Sequence, residues 1–383
     1  MSFSMYTAVA PVNIAVIKYW GKRNEDLILP VNDSISVTLS KDIMSAKTTV
    51  ACSEHFKSDK IWLNGKEEDI TNPRLQKCIE QIKKCSRNKK CLKWHLHICS
   101  KNNFPTAAGL ASSAAGFACL VKALAALYDV DDELSLIARQ GSGSACRSMF
   151  GGFVRWLAGQ EIDGSDSLAI QIAAQEFWPE LKVIILVVNA NKKGISSTIG
   201  MKRSVLTSSL LKYRASDIVP ARVEEITEAI LQQDFEKFAE ITMKDSNQFH
   251  AICLDTFPPV HYLNSISYVI MEFVHAYNDF YHKNKVAYTF DAGPNACLFL
   301  MKQDVSEVIS LIKNIFPPST DGDEFIRGLD VSPCDISEEL LKSIPISPQP
   351  DSIRYIINTE VGTGPEIIQD PAEHLLNEFG LPL

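Results

Sequence analysis

The stretch from residue 102 to residue 116, NNFPTAAGLASSAAG, constrains the fold most, because it joins two different elements through small, uncharged side chains. Before it, LKWHLHICS (92–100) alternates in polarity as a β-strand does. After it, residues 112–128 are nearly all apolar, with Lys122 as the only charged residue, and this predicts a buried helix. The chain must therefore fit a loop of small residues between a strand and the start of a core helix.

The predicted helix start has the properties of an anion site. Ser112 and Ser113 fall where N-cap and first-turn residues belong, and glycine in the preceding loop lets the backbone approach a ligand closely. The free amides and the dipole of a helix start attract an anion, and a serine hydroxyl can also bind Mg²⁺. The segment is neither a Walker sequence nor GxGxxG. A tight turn followed by a serine cap on a core helix is the alternative, and the spacing alone leaves both open.

Hydrophobic periodicity over the rest of the chain predicts a mixture of strands and helices. Strands are predicted at 6–20, 34–50, 92–100 and 182–190, and as a strand, turn and strand at 285–302. Helices are predicted at 74–86, 112–128, 220–245, 261–283 and 304–315, and 317–352 is expected to be loop-like because it is rich in Pro, Ser and Asp. The best candidate for a domain boundary lies near residues 188–200.

Composition excludes several classes of protein. The net charge of -8 over 383 residues argues against a nucleic-acid binder. No apolar run reaches the roughly 20 residues that span a bilayer, and the N-terminal stretch has no basic leader before an apolar core, so we expect a cytoplasmic protein. Ten cysteines without a CxxC pair predict reduced thiols, and eight histidines without HExxH make a zinc enzyme an unfavoured interpretation.

The segment APVNIAVIKYWGKR (10–23) places polar residues in an otherwise apolar strand and its exit. Asn13 and Lys18 need partners if the strand is buried, because an isolated buried charge is costly. Tyr19 and Lys22 follow directly. The functional interpretation is a ligand site, and the alternative is that these side chains cap the strand or reach solvent at its end.

Two further segments carry candidate functional residues. RQGSGSACRSMFGGF (139–153) combines small residues with Arg147, which can hold a carboxylate through two parallel hydrogen bonds. TFDAGPNA (289–296) places Asp291 at a Gly-Pro turn between apolar strands. The alternatives are a flexible loop before a helix for the first segment and ordinary turn chemistry for the second.

Taken together, five motifs carry a family resemblance. PTAAGLASSAAG resembles the phosphate-binding motif P-x-x-x-G-L-x-S-S-A of the superfamily of galactokinase, homoserine kinase, mevalonate kinase and phosphomevalonate kinase (the GHMP kinases). With APVNIAVIKYWGKR, GSGSACRSMFGG, MKDSNQFHA and YTFDAGPNA, the sequence is similar to the mevalonate diphosphate decarboxylase family within it. The resemblance extends from residue 8 to residue 300, and residues 317–352 carry no recognisable motif.

The resemblance implies an α+β fold of two lobes, with mixed and antiparallel sheets flanked by helices and an active-site cleft between the lobes. Residues 1–190 would form the ATP-binding lobe and 191–340 the lobe with the catalytic aspartate, and we expect the segment from about 340 to 383 to pack back onto the first lobe. Catalytic roles are implied for Lys18, Ser113, Arg147 and Asp291. Substrate binding is implied for Asn13, Tyr19, Lys22, Ser142, Gly143, Ser144, Arg147 and Ser197. ATP binding is implied for Ser100, Asn102, Pro105, Ala108, Gly109, Leu110, Ala111, Ser112 and Ser113, with Ser113 also as the metal ligand.

The same resemblance implies a reaction. Mevalonate 5-diphosphate and ATP, with Mg²⁺, would give isopentenyl diphosphate, ADP, phosphate and CO₂, in a cytosolic homodimer that uses neither nucleic acid nor membrane. Lys18 would face the reacting phosphoryl group, and Asp291 would meet the tertiary hydroxyl. Arg147 would chiefly bind and align the carboxylate, because CO₂ is neutral and a strong ion pair would favour the ground state.

Two other functions remain open at the level of sequence. A small-molecule kinase of the same superfamily would stop at the phosphorylated product, and the phosphate-binding loop is common to both. Arg147 and the strand around Lys18 favour a substrate with both a carboxylate and a diphosphate. The presence of Lys18, Asp291 and both serines, Ser112 and Ser113, argues against a catalytically silent nucleotide sensor.

Overall fold

Strands and helices packed on one main hydrophobic core build the computed structural model, which describes residues 3–104, 112–188, 194–319 and 325–383. The strands are β1 (Phe3–Pro11), β2 (Asn13–Ile17), β3 (Lys22–Asn24), β4 (Leu29–Pro30), β5 (Ser34–Thr38), β6 (Ser45–Ser53), β7 (Lys60–Leu63), β8 (Lys66–Glu68), β9 (His95–Asn102), β10 (Phe153–Trp156), β11 (Ala169–Ala173), β12 (Leu181–Val188), β13 (Val286–Phe290), β14 (Ala296–Met301), β15 (Ile326–Gly328), β16 (Ile353–Glu360) and β17 (Glu366–Ile368). The helices are α1 (Pro73–Cys85), α2 (Ser112–Tyr128), α3 (Leu134–Gly141), α4 (Ser197–Thr207), α5 (Ser209–Tyr213), α6 (Val219–Gln232), α7 (Phe235–Asp255), α8 (Ser265–Phe280), α9 (Val305–Ile315) and α10 (Glu338–Ser343).

The strands form three larger sheets and a small ribbon of β3 and β4. Their orders are β17-β1-β6-β9-β7-β8, β11-β10-β5-β2 and β13-β14-β12-β16-β15. Pairing is antiparallel except between β7 and β9 and between β15 and β16. The expected α+β class with mixed and antiparallel sheets is therefore confirmed.

Helix α2 matches the segment 112–128 that its apolar pattern predicted, and small side chains allow it to lie close to the first sheet. Ala114, Ala115 and Ala118 are fully buried. The Cys119 thiol donates to the carbonyl oxygens of two strands of that sheet, β1 and β6, at 3.1 and 3.2 Å. These contacts fix the start of α2 against the first sheet, in which strand β9 ends at Asn102.

Three predicted elements are each divided in the structure. The strand predicted at 6–20 is β1 and β2, which belong to different sheets and are separated at Val12, and the strand predicted at 34–50 is β5 and β6, which also belong to different sheets. The helix predicted at 220–245 is wrong as a single element, because Gln233 adopts the left-handed conformation with φ 54°. Asp234 then caps a new helix, α7, by accepting from the Lys237 amide.

Sheet membership bears on the domain prediction. Strand β12, expected in the first lobe, pairs with β14 and β16 in the third sheet. The C-terminal segment contributes strands to two sheets, since β16 pairs with β12 in the third sheet and β17 pairs with β1 in the first. The division at residue 190 stays a prediction, and sheet membership would draw it before residue 181.

Helix α7 lies between the second and third sheets, which both carry residues of the candidate site. It packs against β13 of the third sheet and against β2 of the second. No described helix is long and apolar enough to cross a membrane. The ten cysteines are free thiols, and only Cys85 and Cys334 among them are exposed.

Candidate functional site

An ion pair between Lys18 and Asp291 joins two distant segments. Lys18 directly follows β2, and Asp291 directly follows β13. The Lys18 Nζ lies 2.6 Å from the Asp291 Oδ1, and the lysine side chain is 3% exposed whereas the aspartate is 39% exposed. The structure thus brings together the two residues predicted to handle the phosphoryl group and the hydroxyl, with the carboxylate on the open side.

Arg147 is buried, and its hydrogen-bond partners in the described part of the chain are all neutral. It lies in the short helical segment Gly143–Met149, where its guanidinium donates to Ser34 Oγ at 2.5 Å, Ser36 Oγ at 3.0 Å and Asn13 Oδ1 at 3.3 Å. Among the described residues, no carboxylate lies within ion-pair distance of it. Burial lowers the pKa of Arg147 because water no longer solvates the charge. A buried cation without a counter-ion is suited to an anionic ligand.

Asn13 connects Arg147 to the serine loop. Its amide nitrogen donates to the Ser144 carbonyl at 3.0 Å and to Ser148 Oγ at 2.8 Å, while its oxygen accepts from Arg147. Asn13 is 2% exposed, so its side-chain amide orients Arg147 from the buried side of the site. The predicted substrate role of Asn13 remains a prediction.

The start of α2 and the 142–144 loop converge, although they are separated in the sequence. Ser113 Oγ lies 3.4 Å from Ser142 Oγ, which lies 3.5 Å from Ser144 Oγ. Ser113 is exposed. The predicted anion site at the start of α2 and the serines of the 139–153 segment thus form one continuous row of hydroxyls.

Tyr19 packs over Gly143 in a way that needs glycine there. A Cβ at Gly143 would lie 2.9 Å from the Tyr19 ring and 2.8 Å from Trp156. The Tyr19 ring meets Trp156 edge-on at 4.7 Å. The Tyr19 hydroxyl is buried and has no hydrogen-bond partner among the residues that the structure describes, and burial raises its pKa, with Glu25 adding to the shift. An unpaired buried hydroxyl is costly unless a ligand satisfies it.

Lys22 is the second predicted diphosphate ligand, and it is paired with Glu25. The Lys22 Nζ lies 2.5 Å from Glu25 Oε2, with the lysine side chain 4% exposed and the glutamate 46% exposed. The exposed Glu25 carboxylate therefore forms an ion pair with the buried Lys22 ammonium, close to Tyr19. An anionic ligand at Lys22 would compete with Glu25.

A cavity of about 700 Å³ lies beside the start of α2. Ser100, Asn102 and Ser113 line it, and Ser100 Oγ is 2.9 Å from Thr48 Oγ1. The apolar side chains on its wall are Ile61, Leu63, Pro73, Leu75, Ile98, Phe117 and Leu120. Apolar walls with a few polar groups are typical of a site for a flat organic ring.

Several predicted ATP-binding residues cannot be placed. Pro105, Ala108, Gly109, Leu110 and Ala111 lie outside the described residues. Ser112 is the first residue of α2.

Ser197 is the first residue of α4, and Ser196 caps that helix. The neighbouring Thr198 hydroxyl lies 3.5 Å from Arg74 Nη2 on the second residue of α1. In the described parts of the chain, no hydrogen bond joins Ser197 to the pair of Lys18 and Asp291. Its contact with a substrate phosphate therefore stays a prediction.

The residues present fit a magnesium ion that is held mainly by a bound phosphate. Within the described ranges, no cluster of three or more His, Cys, Asp or Glu side chains could hold a metal by itself. Mg²⁺ commonly keeps several waters and takes one or two protein ligands together with substrate phosphates. The exposed Ser113 hydroxyl, next to the cavity and the serine row, could supply one such ligand.

Sequence reasoning missed Ser34 and Ser36, the principal partners of Arg147. The sequence held no clear signal for them, because the alternation of serine with apolar residues in SISVT is typical of a half-exposed strand. Only the structure shows that all five residues of β5 are buried, so that the serines need buried partners.

Comparison with known proteins identifies two matching domain families. Residues 10–169 match the Diphosphomevalonate decarboxylase-like N-terminal domain, and residues 183–368 match the Mevalonate 5-diphosphate decarboxylase C-terminal domain. Diphosphomevalonate decarboxylase of Danio rerio is 56% identical over 99% of this chain and 96% of its own length.

Solved structures agree with these matches. Mevalonate diphosphate decarboxylase from Trypanosoma brucei superposes with a TM-score of 0.85 at 37% identity, covering 98% of this chain and 100% of that one. A structure described as MDDEF in complex with MVAPP, AMPPCP and magnesium has a TM-score of 0.76 at 30% identity, covering 96% and 100%.

Proposed function

This chain belongs to the mevalonate 5-diphosphate decarboxylase family, and we propose that Lys18, Asp291 and Arg147 carry the family's reaction in its cleft. The protein has the α+β fold of the GHMP type and is an ATP-dependent decarboxylase. It converts mevalonate 5-diphosphate and ATP to isopentenyl diphosphate, ADP, phosphate and CO₂, and Mg²⁺ is the metal cofactor. The roles of the individual residues below are our proposal.

The observation that carries this assignment is the placement of opposite charges. The Lys18–Asp291 pair presents a partly exposed carboxylate, whereas Arg147 is a buried cation whose partners among the described residues are neutral. A substrate with both a hydroxyl and a carboxylate could place the first against Asp291 and the second against Arg147. A simple alcohol would leave Arg147 without a counter-ion.

Phosphoryl transfer begins at the tertiary hydroxyl. Asp291 accepts a hydrogen bond from this hydroxyl and orients its oxygen toward the γ-phosphorus of ATP. Since phosphoryl transfer is loose, the hydroxyl loses its proton late, and orientation matters more than basicity. The ammonium of Lys18 stabilises the charge that gathers on the phosphoryl oxygens. Mg²⁺, when bound to the ATP phosphates, supplies further charge neutralisation there.

Decarboxylation then follows from a better leaving group. Once the tertiary oxygen carries phosphate, the C–O bond breaks, and the electrons of the bond to the carboxylate form the new double bond as CO₂ departs. Arg147 holds the carboxylate so that this bond lies anti to the leaving phosphate. The charge on the carboxylate disappears in this step, so Arg147 serves binding and alignment.

Substrate and nucleotide are proposed to occupy neighbouring parts of the cleft. The Tyr19 hydroxyl and the Lys22 ammonium would bind the substrate diphosphate, displacing Glu25 from Lys22. The serine row from Ser113 to Ser144 would bind phosphates from both ligands. The 700 Å³ cavity lined by Ser100, Asn102 and Ser113 would receive the adenosine.

Two wider expectations also remain proposals. We place the protein in the cytosol, which agrees with its free thiols. We propose a homodimer from the family resemblance alone.

Product analysis tests the proposal. Incubation with mevalonate 5-diphosphate and Mg-ATP should give ADP, phosphate, CO₂ and isopentenyl diphosphate in equal amounts. A stable phosphorylated product without CO₂ would instead identify a kinase.

A further inference from the structure

The motif MKDSNQFHA (243–251) lies within α7, and the mechanism above gives it no role. Two adjacent residues of the motif, Asp245 and Ser246, are fully buried. They have no access to a ligand in the cleft. Their contacts lead instead to the backbone at the two places from which Lys18 and Asp291 extend.

Asp245 holds the backbone of Lys18. The Lys18 amide donates to Asp245 Oδ2 at 2.8 Å, and the Lys18 carbonyl accepts from Arg214 Nη2 at 3.3 Å and Asn32 Nδ2 at 3.2 Å. The ladder between β2 and β5 ends at Ile17. Side chains from distant segments, rather than strand pairing, therefore fix the main chain of Lys18.

The Asp245 carboxylate is itself held rigidly. Arg214 donates to both of its oxygens, at 2.6 and 2.9 Å, and Arg222 donates to Oδ1 at 3.1 Å. Gln248 Oε1 accepts from both arginines at 2.8 Å. Bidentate charge-assisted bonds of this kind define geometry strongly. The hydrogen bond to the Lys18 amide thus comes from a carboxylate with little freedom to move.

Ser246 holds the backbone next to Asp291. The Phe290 amide donates to Ser246 Oγ at 3.0 Å in a buried contact. Phe290 ends β13, an edge strand with β14 as its only sheet neighbour in the described chain. The serine therefore fixes the last residue of an edge strand, immediately before the catalytic carboxylate.

We propose that Asp245 and Ser246 are positioning residues that set the distance between the Lys18 ammonium and the Asp291 carboxylate. Adjacent side chains on one rigid helix hold the two strand ends, so any shift of one end relative to the other must distort a buried hydrogen bond. The inference rests on the proposed function, because both residues act through Lys18 and Asp291. Loss of either bond should slow phosphoryl transfer and leave ligand binding unchanged.

Ser246→Ala tests this directly, with Tyr288→Phe as the matched control. The Tyr288 hydroxyl donates to Asn247 Oδ1 at 3.1 Å and also lies 3.2 Å from His275 Nε2, so the control also removes a part-buried bond between α7 and β13, but two residues before the strand end. We expect Ser246→Ala to lower kcat by about tenfold or more, since small misplacements of reacting groups are costly. KM for both substrates and the Kd for a non-hydrolysable ATP analogue should stay within about twofold, because the ligand contacts are kept.

The control separates positioning from general destabilisation. Both variants should lose similar thermal stability, while kcat of Tyr288→Phe should remain within about twofold of wild type. Asp245→Asn should show the same loss of kcat at constant KM, and if it does not fold, Ser246→Ala decides alone. Equal kcat in Ser246→Ala and Tyr288→Phe, or a raised KM with kcat unchanged, would overturn the inference. Wild-type protein that releases no CO₂ would refute the proposed function, and the inference with it.

Discussion

Replacing Arg147 by glutamine should weaken substrate binding without weakening the fold. Arg147 is 2% exposed, and in the part of the chain that the structure describes its guanidinium donates to the neutral side chains of Ser34, Ser36 and Asn13. In the free protein its burial therefore costs stability, and this cost is compensated when a carboxylate binds. Glutamine removes the charge and can still form hydrogen bonds with the serines.

The magnitude follows from the loss of a buried charge-assisted contact. Truncating one partner of such a pair costs about 2–5 kcal/mol, which corresponds to roughly 30-fold to several thousand-fold in affinity. We expect KM for mevalonate 5-diphosphate to rise within this range, with a smaller loss of kcat from misalignment of the carboxylate. The free energy of unfolding without ligand should be unchanged or higher.

Arg155→Gln is the matched control for this prediction. Arg155 lies on β10 and already has carboxylate partners, Asp33 at 2.8 Å and Glu224 at 3.1 Å. Its loss should lower stability by about 1 kcal/mol or less and leave KM unchanged. The assays are steady-state kinetics and thermal melting with and without substrate. If Arg147→Gln destabilises the free protein more than Arg155→Gln does and KM stays constant, Arg147 is structural and the reasoning is wrong.

Three further substitutions test the remaining assignments by steady-state kinetics. Asp291→Asn should lower kcat at least about 100-fold with KM nearly unchanged, because its contact belongs to the transition state; a change in KM alone would contradict this. Ser113→Ala should lower kcat by about 100-fold if its hydroxyl seats phosphate or Mg²⁺, and normal turnover would remove it from the site. Gly143→Ala should raise KM by displacing the Trp156 and Tyr19 rings, from which the added Cβ would lie 2.8 and 2.9 Å, and an unchanged KM would contradict the assignment of this segment to the diphosphate.

Local elements were predicted well where periodicity was strong. Helix α2 occupies the predicted 112–128, and the strands and turn of 285–302 appear as β13 and β14. Such elements follow from short-range patterns of apolar residues. The division of the predicted 220–245 helix at Gln233 was missed, since neither glycine nor proline marks that break and a polar residue in the left-handed conformation leaves little trace in sequence.

Long-range pairing was the part that the sequence could not supply. The apolar run of β12 predicted a buried strand, but nothing in the run identifies β14 and β16 as its neighbours. For the site, the motifs named Lys18 and Asp291, whereas their 2.6 Å contact and the bonds that hold them depend on α7. Which strands pair and which side chains meet is a property of the folded chain, and a single sequence does not reveal it.

A single-turnover experiment tests the central claim most directly. Substrate labelled at the carboxyl carbon and ATP labelled at the γ-phosphate are mixed with excess enzyme, and CO₂ and inorganic phosphate are followed by rapid quench. We predict that wild type releases both with equal amplitude, and that Asp291→Asn releases neither at a comparable rate. CO₂ released by Asp291→Asn at the wild-type rate would contradict the account, since Asp291 would then not be needed for phosphoryl transfer or for the decarboxylation that follows it.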